Sequence, residues 1–159
     1  MPEIPRVGIG FDAHPWATDP GRVLRLGGVG FDGERGLAGH SDGDAVCHAI
    51  ADAILGAAAL GDVGDHFPED DPSILGIGGT ALLAEAAGLA REAGLTVHSC
   101  DVTVICERPA IAPRRTELRA SLAGTLEIPT GSVSVKATRP EGLGLVGDGV
   151  GCLAVAVLA

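Results

Sequence analysis

The sequence contains no tyrosine, three phenylalanines, one tryptophan and one methionine, so aromatic residues make up only 3% of its 159 positions. A core must then be assembled from Ala, Val, Leu and Ile, and the apolar share of 46% is large enough to exclude disorder. Small side chains let backbones approach closely. Basic residues are scarce too: 11 Lys and Arg against 21 Asp and Glu give a formal charge of −10. That balance argues against nucleic acid or an anionic membrane as partner. Phosphates can bind only where a metal ion or a nest of amides receives them. The first apolar stretch is interrupted by Asp12 and His14, so neither a secretory leader nor a membrane span is expected. The four cysteines (Cys47, Cys100, Cys106, Cys152) form no Cys-x-x-Cys pair and lie mostly in apolar segments. Reduced, buried thiols and a cytoplasmic setting are expected from them. Without repeats or linkers, residues 1–159 read as one domain.

What is present centres on His40 to Leu60. The second half of this stretch is apolar and Ala-rich, which favours helix, while the first half gathers His40, Ser41, Asp42, Asp44 and His48. Ser41 is the expected N-cap, with Asp44 completing a variant capping box and Asp42 and Asp44 suiting the positive helix end. Asp44, His48 and Asp52 follow at spacings of four and so share one face, with Ile50, Ala53, Ile54 and Ala57 on others. Such a face lets the imidazole ligate a metal while a carboxylate holds its other nitrogen. Taken alone, it fits an ordinary solvated face equally well.

Upstream, Arg6 to His14 reads as a strand whose alternation puts Asp12 and His14 on one side. Arg22 to Phe31 is a second extended segment, able to pair with the first as a hairpin, and Asp32 to Gly39 is read as a loop. Gly61 to Ser73 holds five acids and two prolines and is expected to be a loop, with Asp62 positioned to face a ligand. Gly78 to Ala93 is a second helix ending at Gly94, and Leu95 to Cys106 a strand. Arg114 to Gly124 is a third helix, with strands at Ser132 to Ala137 and Gly151 to Leu158. Between these last two strands, Lys136 to Val150 is a Gly-rich loop with Lys, Thr, Arg and Glu that could receive phosphate and metal. The interleaving of elements predicts a single α/β sandwich, α+β in its separation of sheet from helices.

Asp12, His14 and His48 form a two-nitrogen, one-oxygen set that fits Zn²⁺ with an open fourth position, although non-haem iron uses similar sets. The blocks Gly10-Phe-Asp-Ala-His14, His40-Ser-Asp-Gly-Asp44 with His48-Ala-Ile-Ala-Asp52, Gly61-Asp-Val-Gly64 with His66-Phe-Pro68, and Val135-Lys-Ala-Thr138 closely resemble the 2-C-methyl-D-erythritol 2,4-cyclodiphosphate synthase family, in order and nearly end to end. The resemblance implies a mixed β-sheet with helices packed on one face. It also implies a homotrimer with active sites at subunit interfaces, and intramolecular phosphoryl transfer on 4-diphosphocytidyl-2-C-methyl-D-erythritol 2-phosphate that releases CMP.

Under the same resemblance, Asp12, His14 and His48 hold Zn²⁺, and Glu141 holds a second divalent ion, Mg²⁺ or Mn²⁺. His40 and Ser41 hold the 2-phosphate, with help from the helix N-terminus. Asp62, beside Gly64, accepts the erythritol hydroxyls, and Thr138 contacts the diphosphate. Cys106, Pro109, Ala110, Ile111 and Ala112 form a cytosine pocket that reads the base through backbone groups, with Ala110 standing where Lys is common. His40, Thr138 and Glu141 are the catalytic set. Arg139 replaces a frequent second Thr and is expected to add a phosphate contact. Leu145, Asp148 and Val150 replace an aromatic, an Arg and a Glu that in some relatives line an axial cavity for isoprenoid diphosphates. Asp148 there reverses the charge and argues against such binding. A metal phosphohydrolase and a trimeric scaffold or nucleotide-binding module with a structural metal are the competing readings.

Overall fold

A computed structural model describes residues 4–144 and 146–159. In chain order the elements are β1 (Arg6–Pro15), β2 (Val23–Leu26), β3 (Val29–Arg35), α1 (Ala45–Ala58), the short α2 (Val63–His66), α3 (Gly79–Glu92), β4 (Val97–Ile105), α4 (Arg115–Leu126), β5 (Val133–Thr138) and β6 (Gly149–Leu158). Turns of 3₁₀ helix lie at Pro72–Ile74, Ala112–Arg114 and Thr130–Ser132.

Four strands form one mixed sheet in the order β1–β6–β4–β5. β6 runs antiparallel to both β1 and β4, and β4 runs parallel to β5. α1 lies on β1 and β6, α3 packs outside α1, and α4 covers β5. The helices therefore sit on one face, as expected, and the other face carries the exposed Val7, Ile9, Phe11 and Leu153.

The shortage of aromatics has its counterpart at the α1–β1 contact. A β-carbon on Gly8 would lie 1.9 Å from the Ala53 carbonyl oxygen, and one on Gly10 would lie 2.0 Å from that of Ala49. Only glycine on the strand, facing alanine on the helix, permits this spacing. α1 is buried on almost all sides because α3 covers the flank turned away from the sheet.

Several local expectations need correction. β1 does not pair with Arg22 to Phe31; its partner is β6, from the far end of the chain. The second segment instead folds on itself, β2 against β3, through a turn at Gly27 (φ +59°) and Gly28 (φ +77°). β3 then continues to Arg35, into the stretch read as loop. Gly61 to Ser73 contains α2, because Asp62 and Asp65 form a reciprocal capping box: Asp65 N donates to Asp62 Oδ1 at 3.0 Å and Asp62 N to Asp65 Oδ2 at 3.2 Å. β5 extends to Thr138, so the Gly-rich loop begins later than expected. Gly94 follows α3 at φ +82°, as its position after the helix predicts.

All four thiols are free and buried. Burial pushes Cys100 up to about 12 and Cys106 to about 11, and it raises Cys47 and Cys152 well above the usual thiol range. Among the described residues, no helix is long and apolar enough to cross a membrane.

Candidate active site

Alternation along β1 turns Gly8, Gly10, Asp12 and His14 towards α1. The two glycines bring the helix down onto the strand, and the next two residues on that face meet His48, in the first turn of α1. His14 Nδ1 donates to the Ala38 carbonyl at 2.7 Å, which leaves the Nε2 lone pair facing Asp12 Oδ2, 2.7 Å away. His48 Nε2 donates to Ser41 Oγ at 3.2 Å, leaving Nδ1 turned to His14 Nε2 at 3.3 Å and Asp12 Oδ2 at 3.5 Å.

Asp12 Oδ2 is buried and has no aligned hydrogen-bond donor. Three electron-rich atoms thus converge, all within 4.8 Å of one another, with their remaining nitrogens tied to protein acceptors. Such a cluster is stable around a cation and costly without one. The donor set, two imidazoles and a carboxylate with outer hydrogen bonds fixing both tautomers, suits Zn²⁺. Where no metal is bound, protons serve in its place. Burial opposes the Asp12 charge, but His14 and His48 outweigh it and hold the carboxyl down at about 2. Burial likewise opposes a charge on His14, while Asp12 lifts its pKa above the usual value.

The acid–imidazole–acid face on α1 does not exist as read. The helix starts at Ala45, and its N-cap is Asp44 rather than Ser41, because Gly43 at φ +74° turns the chain just before it. Asp44 is wholly buried and accepts from Cys47 N at 3.0 Å, Gly27 N at 2.8 Å and Gly28 N at 2.7 Å. It fastens the β2–β3 turn to the start of α1 and leaves the helix N-terminus closed to a phosphate. Asp42 accepts from Asp44 N at 3.0 Å and from Gly79 N at 2.8 Å, capping α3 in place of the side chain that Gly78 lacks. The Ser-Asp-Gly-Asp block is therefore a knot joining two helices and a hairpin, with only Ser41 turned to the site. Asp52 Oδ1 accepts from Val63 N at 3.3 Å, steadying α2, and does not support His48. Desolvation by burial and the nearby Asp62 and Asp12 raise its pKa.

Two recesses flank the triad. The larger, about 580 Å³, is lined by Asp12, His14, His40, Ser41 and His48 together with the apolar Ile74, Leu75 and Ile77. The smaller, about 300 Å³, brings Asp62 and Gly64 beside Asp12, His48 and Asp52. His40 Nδ1 lies 3.6 Å from Glu69 Oε2 in an exposed pairing. Arg22 was missed from sequence: its guanidinium donates to the carbonyl of Ser41, which lines the larger recess. An arginine just ahead of a short strand carries no signal of that reach.

The other expected residues lie across the sheet. Ala13 is registered with Gly151, Gly151 with Ile105, and Ile105 with Thr138. Thr138 is thus level with the triad but three strand spacings away, about 14 Å. Cys106 N donates to Thr138 O at 3.1 Å, and the Cys106 thiol to Pro109 O at 3.6 Å, so the 106–112 segment belongs to that edge. Cys106, Pro109 and Ile111 are buried, while Ala110 and Ala112 are exposed, as are Thr138, Arg139 and Glu141. Glu141 sits at φ +53°. Leu145 lies outside the described residues. Val150 is fully buried and, by alternation with Cys152, turns to the helix side of β6. It does not line the open face.

The chain matches the YgbB family over residues 5–159. It belongs to that family. The sequence is 47% identical over 152 residues to the 2-C-methyl-D-erythritol 2,4-cyclodiphosphate synthase of Alkaliphilus oremlandii, covering 96% of each chain. It is 55% identical over 153 residues to the bifunctional enzyme IspD/IspF of Anaeromyxobacter dehalogenans, covering 95% of this chain but 39% of that protein. The chain thus spans about two fifths of the length of such bifunctional relatives. A solved YgbB-type fold, a 2-C-methyl-D-erythritol 2,4-cyclodiphosphate synthase bound to CDP, superposes with a TM-score of 0.87 at 34% identity, covering 97% of this chain and 100% of that one.

Proposed function

We propose that the chain converts 4-diphosphocytidyl-2-C-methyl-D-erythritol 2-phosphate into 2-C-methyl-D-erythritol 2,4-cyclodiphosphate and CMP, in isoprenoid precursor synthesis. The observation that carries this reading is the convergence of Asp12 Oδ2, His14 Nε2 and His48 Nδ1 beside a cavity of substrate size in a YgbB-family chain. These three residues hold Zn²⁺, which when bound supplies Lewis acidity towards a phosphate group.

The chain's own groups position the reactants. The Ser41 hydroxyl already accepts from Gly43 N and His48 Nε2, so its proton is left to donate to the 2-phosphate, beside the His40 imidazole. Asp62 accepts the erythritol hydroxyls, next to the Gly64 amide. An oxygen of the 2-phosphate bonds to the β-phosphorus as the bond to the α-phosphate oxygen breaks, and CMP leaves with that electron pair. Water takes no part. Catalysis of this kind rests on alignment and charge neutralisation.

Thr138 and Arg139 contact the diphosphate, and Glu141 would offer one carboxylate to Mg²⁺ or Mn²⁺, which when bound would neutralise phosphate charge. The cytosine is read by the backbone of Cys106 to Ala112. The separation of about 14 Å across the sheet supports supply of this second set by a neighbouring copy, in a homotrimer with active sites between subunits. The exposed Val7, Ile9, Phe11 and Leu153 provide an apolar face for that assembly.

Phosphorus NMR of the zinc-loaded protein with this substrate and Mg²⁺ tests the reaction. A cyclic diphosphate with CMP is expected, and it should vanish when zinc is stripped and return when zinc is restored. Inorganic phosphate in its place would mean a hydrolase. No turnover by the metal-loaded protein would leave a binding module.

A further inference from the structure

The β2–β3 hairpin is held unusually firmly for two short strands. Its turn gives two hydrogen bonds to the buried Asp44, one of them itself buried and the other partly so, and Leu24, Leu26 and Phe31 are buried in the core. This hairpin receives two arginines from the 106–114 region, one through an ion pair and one through a carbonyl and an aromatic ring. Arg108 Nε donates to Glu34 Oε2 at 2.8 Å and Arg108 Nη2 to Glu34 Oε1 at 3.1 Å, a two-point pair across 74 residues of sequence. Arg114 Nη1 donates to the Gly30 carbonyl at 3.1 Å, and its guanidinium lies 5.0 Å from the centre of the Phe31 ring. The opposite side of that guanidinium is steadied by two 2.7 Å contacts to Glu117.

These arginines bracket residues 109–113. Arg108 enters the segment, between the buried Cys106 and Pro109, and Arg114 leaves it after the buried Ile111. A backbone that reads a base must hold its amide and carbonyl groups to within a fraction of an ångström, and exposed loops do not do so unaided. We infer that the β2–β3 hairpin, through Glu34, holds the segment 106–112 in the geometry that reads cytosine, making Arg108 a positioning residue for base recognition. The inference rests on the proposal that this segment binds the cytidine moiety.

Glu34 keeps only 19% of its side chain exposed while Arg108 is 70% exposed, so the carboxylate is held in place by the hairpin and the guanidinium reaches it from the solvent side. A planar, two-point guanidinium–carboxylate contact also constrains orientation in a way that a single charge does not. Lysine at position 108 would keep the charge and lose the fork.

The test is calorimetric titration of the zinc-loaded protein with CDP and with UDP, for the parent and for Glu34→Gln, Arg108→Gln, Arg108→Lys and the Glu34→Gln/Arg108→Gln double variant. Each single glutamine variant should weaken CDP binding about 3- to 10-fold, as expected for one two-point contact of partial exposure. UDP binding should change less, so the CDP-over-UDP preference narrows. The double variant should be no weaker than the worse single one, because both act through one contact. Arg108→Lys should fall with Arg108→Gln. Zinc content and melting temperature, read on the same samples, should stay at the parent values, with kcat within about twofold and KM raised. Unchanged CDP affinity and unchanged base preference in the variants would overturn the inference, as would additive losses in the double. A parent that binds no CDP would instead overturn the cytosine assignment beneath it.

Discussion

The two edges of the sheet are built differently. At the β1 edge the chain completes a cluster by itself: strand alternation, two glycines and one helix bring Asp12, His14 and His48 within 4.8 Å, with both imidazoles tied from behind. At the β5 edge, Thr138, Arg139 and Glu141 are exposed and do not converge with the triad, though Thr138 lies at the same height in the sheet. On the proposed reading, preorganisation is complete where a metal is held, and it is left open where substrate and a second copy dock.

Removing a triad member should break the comparison most sharply. His48→Ala leaves two ligands, and we expect stoichiometric zinc to be lost and turnover to fall by at least about a thousandfold. Metal analysis beside the NMR assay checks this; a variant that keeps one zinc per chain would remove His48 from the site. Glu141→Ala strikes the other edge, where turnover should fall about a hundredfold with zinc retained.

Mixing these two inactive variants sharpens the contrast. If each site combines the β1 edge of one chain with the β5 edge of another, unfolding and refolding the two together should restore roughly a tenth or more of the parental rate, since some interfaces pair two intact halves. Sites contained within single chains would give no recovery.

Asp44→Ala should act on stability before chemistry. It strands the amides of Gly27, Gly28 and Cys47, and a loss of about 2–4 kcal/mol is expected. Denaturant midpoints with an unchanged slope would measure it, and a shift under 1 kcal/mol would refute the knot. The smallest effect is expected from Asp62→Asn, which keeps the cap of α2 but loses the charge. KM should rise about tenfold with zinc in place. An unchanged KM and kcat would remove Asp62 from hydroxyl recognition.

The legibility of these regions in the sequence also differs. Asp12 and His14 were readable because strand alternation is a period-two rule that needs no partner, and His48 because it lies in a strongly Ala-rich helix. Gly8 and Gly10 stood in plain view, yet their purpose appears only when the carbonyls of Ala49 and Ala53 are found about 2 Å from where a β-carbon would stand. Asp44 was misread because spacing of four describes a helix face only inside the helix, and one glycine moved the start past Asp44. The hairpin partner of β1 was misread for a related reason: local sequence favours the nearest extended segment, while β6 closes the sheet from about 140 residues away.

By itself the sequence determined the helix α1, the alternating strand β1, the chemistry of the two histidines and one aspartate, and a core of small aliphatic residues. Those follow from local periodicity, propensity and composition, which act over a few residues. Tertiary structure alone decided which strands are neighbours, which carboxylate joins the two histidines and which merely cap, and that Glu34 reaches Arg108. Such contacts join residues far apart in the chain, and their partners are selected by the packing of the whole core rather than by any local pattern.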